Sequence, residues 1–165
     1  MKILALDQST KLTGISVWEN NRLIKHFVFD TNVKENAPFL RLKRFKEFFD
    51  GLLDEEKPNV VCFEGVQFQN NYNTYMRLAN LQGVILASLF ERNIDFEIVT
   101  SSKWRKHFGI KGRKREEYKA HTIEMIEEKF GFSCTDDEAD AVAIGLWYVD
   151  EMFSKKRSKK NENNK

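Results

Sequence analysis

The start of the chain alternates between apolar runs and short polar breaks at spacings typical of β-strands. Residues 3–6 are wholly apolar and end at Asp7, which indicates a strand buried on both faces. Two further strands, over residues 13–18 and 22–29, meet at Asn20 and Asn21, and asparagine tolerates the positive φ angles of a tight hairpin turn. The pattern predicts that three antiparallel strands open the fold.

Helical and strand patterns alternate after this hairpin. A helix over residues 38–56 precedes an apolar strand over 59–63, which ends at Glu64. Because a helix separates this strand from the hairpin, we expect it to pair parallel to the first strand. The remaining pattern predicts a helix to about residue 92, a strand over 95–99, and helices over 101–107, 115–130 and 137–153. This order predicts an α/β fold with a mixed five-stranded sheet flanked by helices.

Composition favours one globular domain. The chain has 165 residues, 41% of them hydrophobic, and no apolar run approaches the roughly 20 residues of a membrane span. No signal segment is evident, and Cys62 and Cys134 are far apart, so we expect a cytoplasmic protein of a bacterial or phage-infected cell. We predict a domain over residues 1–153 and a basic, disordered tail over 154–165.

The net charge of +2 hides two segments of opposite sign. Residues 101–120 carry eight basic side chains against two acidic ones, and residues 124–140 carry seven acidic side chains against one basic one. Such a layout suits polyanion binding beside metal binding. Two solvated helix faces of opposite charge are the alternative.

Four carboxylates are candidates for a metal site. Asp7 and Glu64 each follow a buried strand, at the edge where α/β sheets bind ligands. Asp137 and Asp140 lie one turn apart on the last helix, although acids near a helix start also serve as caps. Carboxylates this close repel unless a cation joins them, and oxygen ligands without a His or Cys cluster select Mg²⁺ or Mn²⁺.

These residues also carry a family resemblance over roughly residues 2–153. The sequence resembles RuvC-type Holliday junction resolvases, members of the RNase H-like nuclease superfamily, and looks like a phage-sized variant. The resemblance rests on Leu-Ala-Leu-Asp at 4–7 with Thr13-Gly14, Phe-Glu-Gly-Val at 63–66, Leu-Ala-Asn-Leu-Gln-Gly-Val at 78–84, and Asp-Glu-Ala-Asp-Ala-Val-Ala at 137–143.

The resemblance implies a catalytic set and its cofactor. Asp7, Glu64, Asp137 and Asp140 match the family's four metal-binding carboxylates, which hold two Mg²⁺ ions, with Mn²⁺ expected to substitute. Lys103 and Lys119 resemble its two active-site lysines, although Lys114 or Arg115 could fill the second role. The family acts as homodimers on four-way junctions, and we expect the dimer surface on the apolar helix between Met76 and Phe90.

The chain departs from the family at two places. Gln8, Ser9 and Thr10 stand where the family usually has Pro-Gly, and Gln67 stands where it has an intruding aromatic residue. Phe68 or Tyr72 could supply that stacking instead, in a loop that also contains Gln69 and Asn70. An asparagine-rich loop can equally be a simple turn. The predicted DNA-binding residues are Gln67, Phe68, Tyr72, Lys103, Arg105, Lys106, Lys111, Arg113, Lys114 and Arg115.

The leading hypothesis is a Mg²⁺-dependent, structure-selective endodeoxyribonuclease that resolves Holliday junctions by two-metal hydrolysis. Forks and other branched DNA are further candidate substrates. The alternatives are a ribonuclease for RNA–DNA hybrids, half of an actin-type or sugar-kinase-type ATPase, and a non-catalytic module that binds branched DNA. The ATPase reading requires a longer chain, and the presence of all four acids disfavours the non-catalytic one.

Overall fold

The computed structural model describes residues 1–34, 37–68 and 71–162, with side chains as far as Lys155. Gln69 and Asn70 of the predicted DNA-contacting loop therefore lie outside the described residues. The elements are β1 (Lys2–Asp7), β2 (Leu12–Glu19), β3 (Arg22–Asp30), α1 (Pro38–Glu56), β4 (Val60–Glu64), α2 (Tyr72–Glu91), β5 (Asp95–Val99), α3 (Ser101–His107), α4 (Arg115–Phe130) and α5 (Asp136–Glu162).

The sheet has the mixed topology that the sequence predicts, in the order β3-β2-β1-β4-β5. Strands β1, β2 and β3 are antiparallel, and β4 pairs parallel with both β1 and β5. Asn20 and Asn21 have φ angles of 50° and 68°, as the hairpin requires. β1 therefore lies at the centre of the sheet, with β4 beside it.

Alternate side chains of β1 pack on opposite faces of the sheet. Leu4 and Leu6 pack with α1 and α2, where Phe45, Phe49 and Ile85 are fully buried. Ile3 and Ala5 pack on the other face, largely with apolar residues of α5. A strand covered on both sides must be apolar throughout, which explains the continuous run that precedes Asp7.

The end of the last helix differs from the prediction. We expected helix as far as Phe153 and a disordered tail beyond it, but α5 continues to Glu162. Neither glycine nor proline follows Phe153, and the lysine, arginine and glutamate residues beyond it have good helix propensity. The predicted end of the last helix at Phe153 is thus wrong, and residues 163–165 lie outside the description.

The helix α2 is buried on one side only in the single chain. Leu81, Ile85 and Leu89 face the core, whereas Met76 is 37% and Phe90 is 63% exposed. No helix among the described residues is long and apolar enough to cross a membrane.

Candidate active site

The fold brings the four predicted carboxylates to one edge of the sheet. Asp7 and Glu64 end the neighbouring strands β1 and β4, whose last backbone pair is Leu6 with Phe63. Asp137 and Asp140 lie in the first turns of α5, which crosses the same edge. The charges of Asp140, Glu64 and Asp137 each raise the pKa of Asp7, as expected for neighbouring carboxylates.

Gly14 allows this convergence. It pairs with Asp7 across the β1–β2 ladder, and a Cβ atom at this position would overlap the backbone carbonyl of Asp137 and press on Ala141 at 3.3 Å. Only a residue without a side chain lets the start of α5 lie this close to the strands. The glycine thereby sets the distance between Asp7 and the two acids of α5.

All four carboxyl groups have raised pKa values. Burial is the largest cause of the raised pKa of Asp7, and the charges of Asp140, Glu64 and Asp137 raise it further. Burial also raises the pKa of Asp140 to about 6, although the charge of Arg105 opposes the shift. The pKa values of Glu64 and Asp137 are raised by burial as well. The ionised forms of these carboxyls are thus less stable in this site than in water.

Two basic side chains approach this acidic cluster from α3 and α4. The Arg105 guanidinium lies 4.8 Å from the Trp104 ring centroid and 5.1 Å from that of Tyr118, and its Nη2 is 3.6 Å from Asp140 Oδ2. Lys119 forms an ion pair with Asp136, and its charge lowers the pKa values of Asp7 and Asp137. Arg105 is held between two aromatic rings, which fixes its position beside the carboxylates.

Lys103 does not join the carboxylates. Its ammonium lies 4.8 Å from the ring centroid of Trp147, and the side chain is exposed. In an α-helix, residues two positions apart point in different directions, so Arg105 faces the acids where Lys103 cannot. Arg115 is exposed, yet its charge lowers the pKa values of Glu64 and Asp137.

The other predicted DNA-binding residues lie on the surface. Gln67 and Phe68 follow β4, Tyr72 opens α2, and both aromatic side chains are 64% exposed. Phe68 makes an edge-to-face contact with Tyr75 at 5.6 Å between ring centroids. The exposed basic residues of the α3–α4 region are Lys106, Lys111, Arg113 and Lys114.

The donor set suits a divalent cation with hard-oxygen ligands. Asp140 Oδ1 is buried and accepts no hydrogen bond, so this oxygen is free to act as a ligand. Burial raises the pKa values of all four acids, and the charges of neighbouring site acids raise those of Asp7 and Asp140 further, so a bound cation would stabilise their ionised forms. As the side chains stand, no three acidic, His or Cys groups among the described residues already form a metal-binding cluster. Asp7, Glu64, Asp137 and Asp140 are the residues that could hold such an ion if their side chains rearranged around it.

Sequence reasoning missed two side chains that support the site. Trp104, which is fully buried, donates from Nε1 to Glu64 Oε2 at 3.1 Å. The Gln8 side chain is also buried, and its Nε2 donates to the Glu64 carbonyl oxygen. Gln8 was detectable as a departure from the family pattern directly after Asp7, but no periodicity marked Trp104 as a partner of Glu64.

Comparisons with known proteins agree with this architecture. A curated relative from Fusobacterium nucleatum, named crossover junction endodeoxyribonuclease RuvC, is 26% identical over 162 residues, which cover 94% of this chain and 83% of the relative. The structure of Thermus thermophilus RuvC in complex with a Holliday junction substrate has a TM-score of 0.71 at 19% identity, and the match covers 89% of this chain and 92% of that one. The yeast mitochondrial Holliday junction resolvase Ydc2 has a TM-score of 0.60 at 14% identity, over 89% of this chain and 77% of that one.

The family model described as crossover junction endodeoxyribonuclease RuvC matches residues 3–148, which include every element from β1 to β5 and all four carboxylates. The match spans most of the chain, and the fold agrees with that of the RuvC structure from Thermus thermophilus. The chain belongs to the RuvC family of crossover junction endodeoxyribonucleases.

Proposed function

We propose that this protein is a Mg²⁺-dependent resolvase that cuts Holliday junctions by hydrolysis of phosphodiester bonds, in the cytoplasm of a bacterial or phage-infected cell. Membership of the RuvC family supports this function. The observation that carries it is the convergence of Asp7, Glu64, Asp137 and Asp140, whose pKa values are all raised. A cluster of acids with raised pKa values is typical of an active site.

The four carboxylates would hold two Mg²⁺ ions, and Mn²⁺ would substitute for them. Such ions activate a water molecule and stabilise the leaving oxygen of the phosphodiester. Trp104 Nε1 orients the Glu64 carboxylate through its hydrogen bond, and Gly14 sets the approach of the two acids on α5. Arg105, fixed between Trp104 and Tyr118, and Lys119 are the cations best situated to neutralise the scissile phosphate. Lys103 would contact the DNA backbone outside the active site.

The exposed basic residues around the α3–α4 connection would bind phosphates, because their positive charges are accessible and unopposed by nearby acids other than Glu116 and Glu117 in the sequence. Phe68 and Tyr72 would stack on unpaired bases at the branch point, which stabilises binding by about 1–3 kcal/mol per base. Because the aromatic side chains would stack on unpaired bases while the basic residues bind phosphates, branched DNA is favoured over linear duplex. Forks are included among the proposed substrates because exposed aromatic side chains stack on any unpaired base.

The outward face of α2 supports a homodimer. Met76, Gly83, Ala87 and Phe90 are exposed and recur at intervals of three, four or seven residues along this face. Phe90 also contacts Phe96 of the edge strand β5, with 5.8 Å between ring centroids, which extends the apolar surface. Two small residues one turn apart allow a second helix to approach closely. A dimer would provide the two active sites that paired nicks require.

Cleavage of an end-labelled four-way junction tests the proposal. Linear duplex, Y-fork and RNA–DNA hybrid of matched sequence serve as substrate controls, each with Mg²⁺, Mn²⁺ or EDTA. We expect paired symmetric nicks in the junction with either metal and none in EDTA. Cleavage of the hybrid alone would assign the protein to the ribonucleases, and tight binding without cleavage would leave a DNA-binding module.

The variant Asp7→Asn separates catalysis from binding. We expect it to bind the junction at least as tightly as the wild type, because it removes a negative charge near the phosphates, and to make no nicks. A mobility-shift assay and a cleavage assay on the same preparation measure both properties. A variant that still cuts would exclude Asp7 from the metal site.

A further inference from the structure

Gln8 joins the two strands that carry Asp7 and Glu64 at the point where their backbone pairing stops. The β1–β4 ladder ends at Leu6 and Phe63, one residue before each carboxylate. Beyond this pair, Gln8 Nε2 donates a hydrogen bond to the Glu64 carbonyl oxygen. A side chain therefore continues the connection between β1 and β4 that the backbone no longer makes.

The second observation is the unused oxygen of the same amide. The Gln8 side chain is 9% exposed, and its Oε1 is buried without a hydrogen-bond partner. The amide cannot be reversed to relieve this, because its oxygen would then face the Glu64 carbonyl oxygen, another acceptor. Buried oxygens are nearly always hydrogen-bonded in folded proteins, so an unpaired one beside a candidate metal site indicates a donor that is not part of the ion-free chain.

We infer that Gln8 is a positioning residue for the divalent cation: its nitrogen holds the end of β4 beside Asp7, and its free oxygen accepts a hydrogen bond from a water molecule that the ion retains. This inference rests on the proposed function. Mg²⁺ keeps several of its waters when a protein binds it, which supplies the missing donor. Groups that orient metal ligands typically change metal affinity by about 10–100-fold when they are replaced.

The variant Gln8→Met tests the inference, because methionine has a similar length and flexibility but neither the donor nor the acceptor. Calorimetric titration of the DNA-free protein with Mn²⁺ measures ion binding directly. We expect the affinity for Mn²⁺ to fall about tenfold or more, and raised metal concentrations to restore most of the junction cleavage. Junction binding in EDTA is expected to match that of the wild type.

Gln82→Met is the matched control. Gln82 Oε1 accepts a hydrogen bond from the Val66 backbone N–H at 3.1 Å, so this glutamine also supports the chain after β4 but bonds it two residues beyond Glu64. We expect Gln82→Met to keep the wild-type affinity for Mn²⁺. Equal loss of affinity in both variants would mean general loosening of the loop and would overturn the specific role of Gln8.

The conservative variant Gln8→Asn covers the case in which Gln8→Met does not fold. It keeps an amide on a side chain one methylene shorter, and we expect reduced Mn²⁺ affinity in a folded protein. Wild-type affinity for Mn²⁺ in every folded Gln8 variant would overturn the inference while leaving the resolvase function intact. A wild-type protein that neither binds Mn²⁺ nor cuts the junction would instead refute the proposed function itself.

Discussion

At the scale of single residues, the buried Asp140 carboxylate lowers the stability of the folded protein, although the proposed active site requires it. Its side chain is buried, its pKa is raised to about 6, and its Oδ1 has no hydrogen-bond partner. A shift of about two pKa units corresponds to about 3 kcal/mol of destabilisation when the group is ionised at neutral pH. Active sites commonly retain such groups because function requires them.

The variant Asp140→Asn should therefore be more stable and inactive. We expect the ion-free variant to unfold a few degrees above the wild type at pH 7.5, because the amide carries no buried charge. Differential scanning calorimetry measures the first effect and junction cleavage the second. Asp150→Asn is the control, since Asp150 lies on the same helix but has a side chain that is 42% exposed and pairs with His107. A lower unfolding temperature for Asp140→Asn would mean that its contact with Arg105 outweighs the burial of its charge.

The carboxylates were predictable from sequence, whereas their partners were not. Asp7 and Glu64 end apolar runs, and strand order alone brings such positions to one edge. The difference between Lys103 and Arg105 depends on which side of a seven-residue helix faces the sheet, and the packing of Trp104 decides that. A run of basic residues in the sequence does not indicate which of their side chains will face the sheet.

At the scale of elements, the contact between α5 and the strands determines whether the site forms. Gly14→Ala should disrupt it, because the added methyl group overlaps the Asp137 carbonyl. Displacing packed backbone costs about 1–3 kcal/mol or more, and Asp137 and Asp140 would move with the helix. We expect a lower unfolding temperature in calorimetry and weaker binding of Mn²⁺ in the same DNA-free titration.

Gly51→Ala provides the control for that experiment. Gly51 lies inside α1, and a Cβ atom there would meet nothing within 4 Å. Alanine in a helix interior is more favourable than glycine by about 0.5–1 kcal/mol, so this variant should gain stability and bind Mn²⁺ normally. Unchanged Mn²⁺ binding in Gly14→Ala would show that α5 tolerates displacement and that the glycine does not determine the geometry of the metal site.

The boundaries of elements show where sequence patterns stop being informative. Helix and strand periods predicted the interior of every element, because burial on the sheet imposes those periods. The end of α5 was predicted wrongly, since beyond Phe153 no apolar period remains and only helix propensity decides. The outward face of α2 was likewise ambiguous, because apolar residues on a helix do not reveal whether the core or a second chain covers them.

At the scale of the whole molecule, the pKa shifts predict an unusual pH dependence of stability. The raised pKa values of the four site carboxyls mean that the folded state binds more protons than the unfolded state above about pH 4, so stability falls as pH rises towards 7. The carboxyls of Asp50, Glu56 and Glu138, whose pKa values are lowered, act oppositely and lose their stabilising ion pairs or hydrogen bonds at lower pH.

The ion-free protein should therefore be most stable near pH 5. Thermal unfolding in EDTA between pH 3.5 and 8 measures this, and Mn²⁺ should raise the unfolding temperature at pH 7.5 far more than at pH 5, where protons compete for the carboxylates. The same scan on Asp140→Asn is the control and should have a weaker decline above pH 5. A wild-type profile that rises steadily to pH 8 would contradict the raised pKa values of the four acids.

Substitution of Gly83 tests whether two chains assemble through the exposed face of α2. A Cβ atom at Gly83 would meet nothing within 4 Å in one chain, and the residue lies in the middle of the exposed face of α2. Arginine is a better helix former than glycine by up to about 1 kcal/mol, so Gly83→Arg should stabilise the isolated chain while its bulk and charge separate the dimer. Sedimentation velocity should report a monomer, and the junction should receive single, uncoordinated nicks.

Gly51→Arg places the same side chain on α1, where open space also surrounds the Cβ, and should leave assembly and paired nicking unchanged. A Gly83→Arg protein that still dimerises and nicks symmetrically would move the interface away from α2.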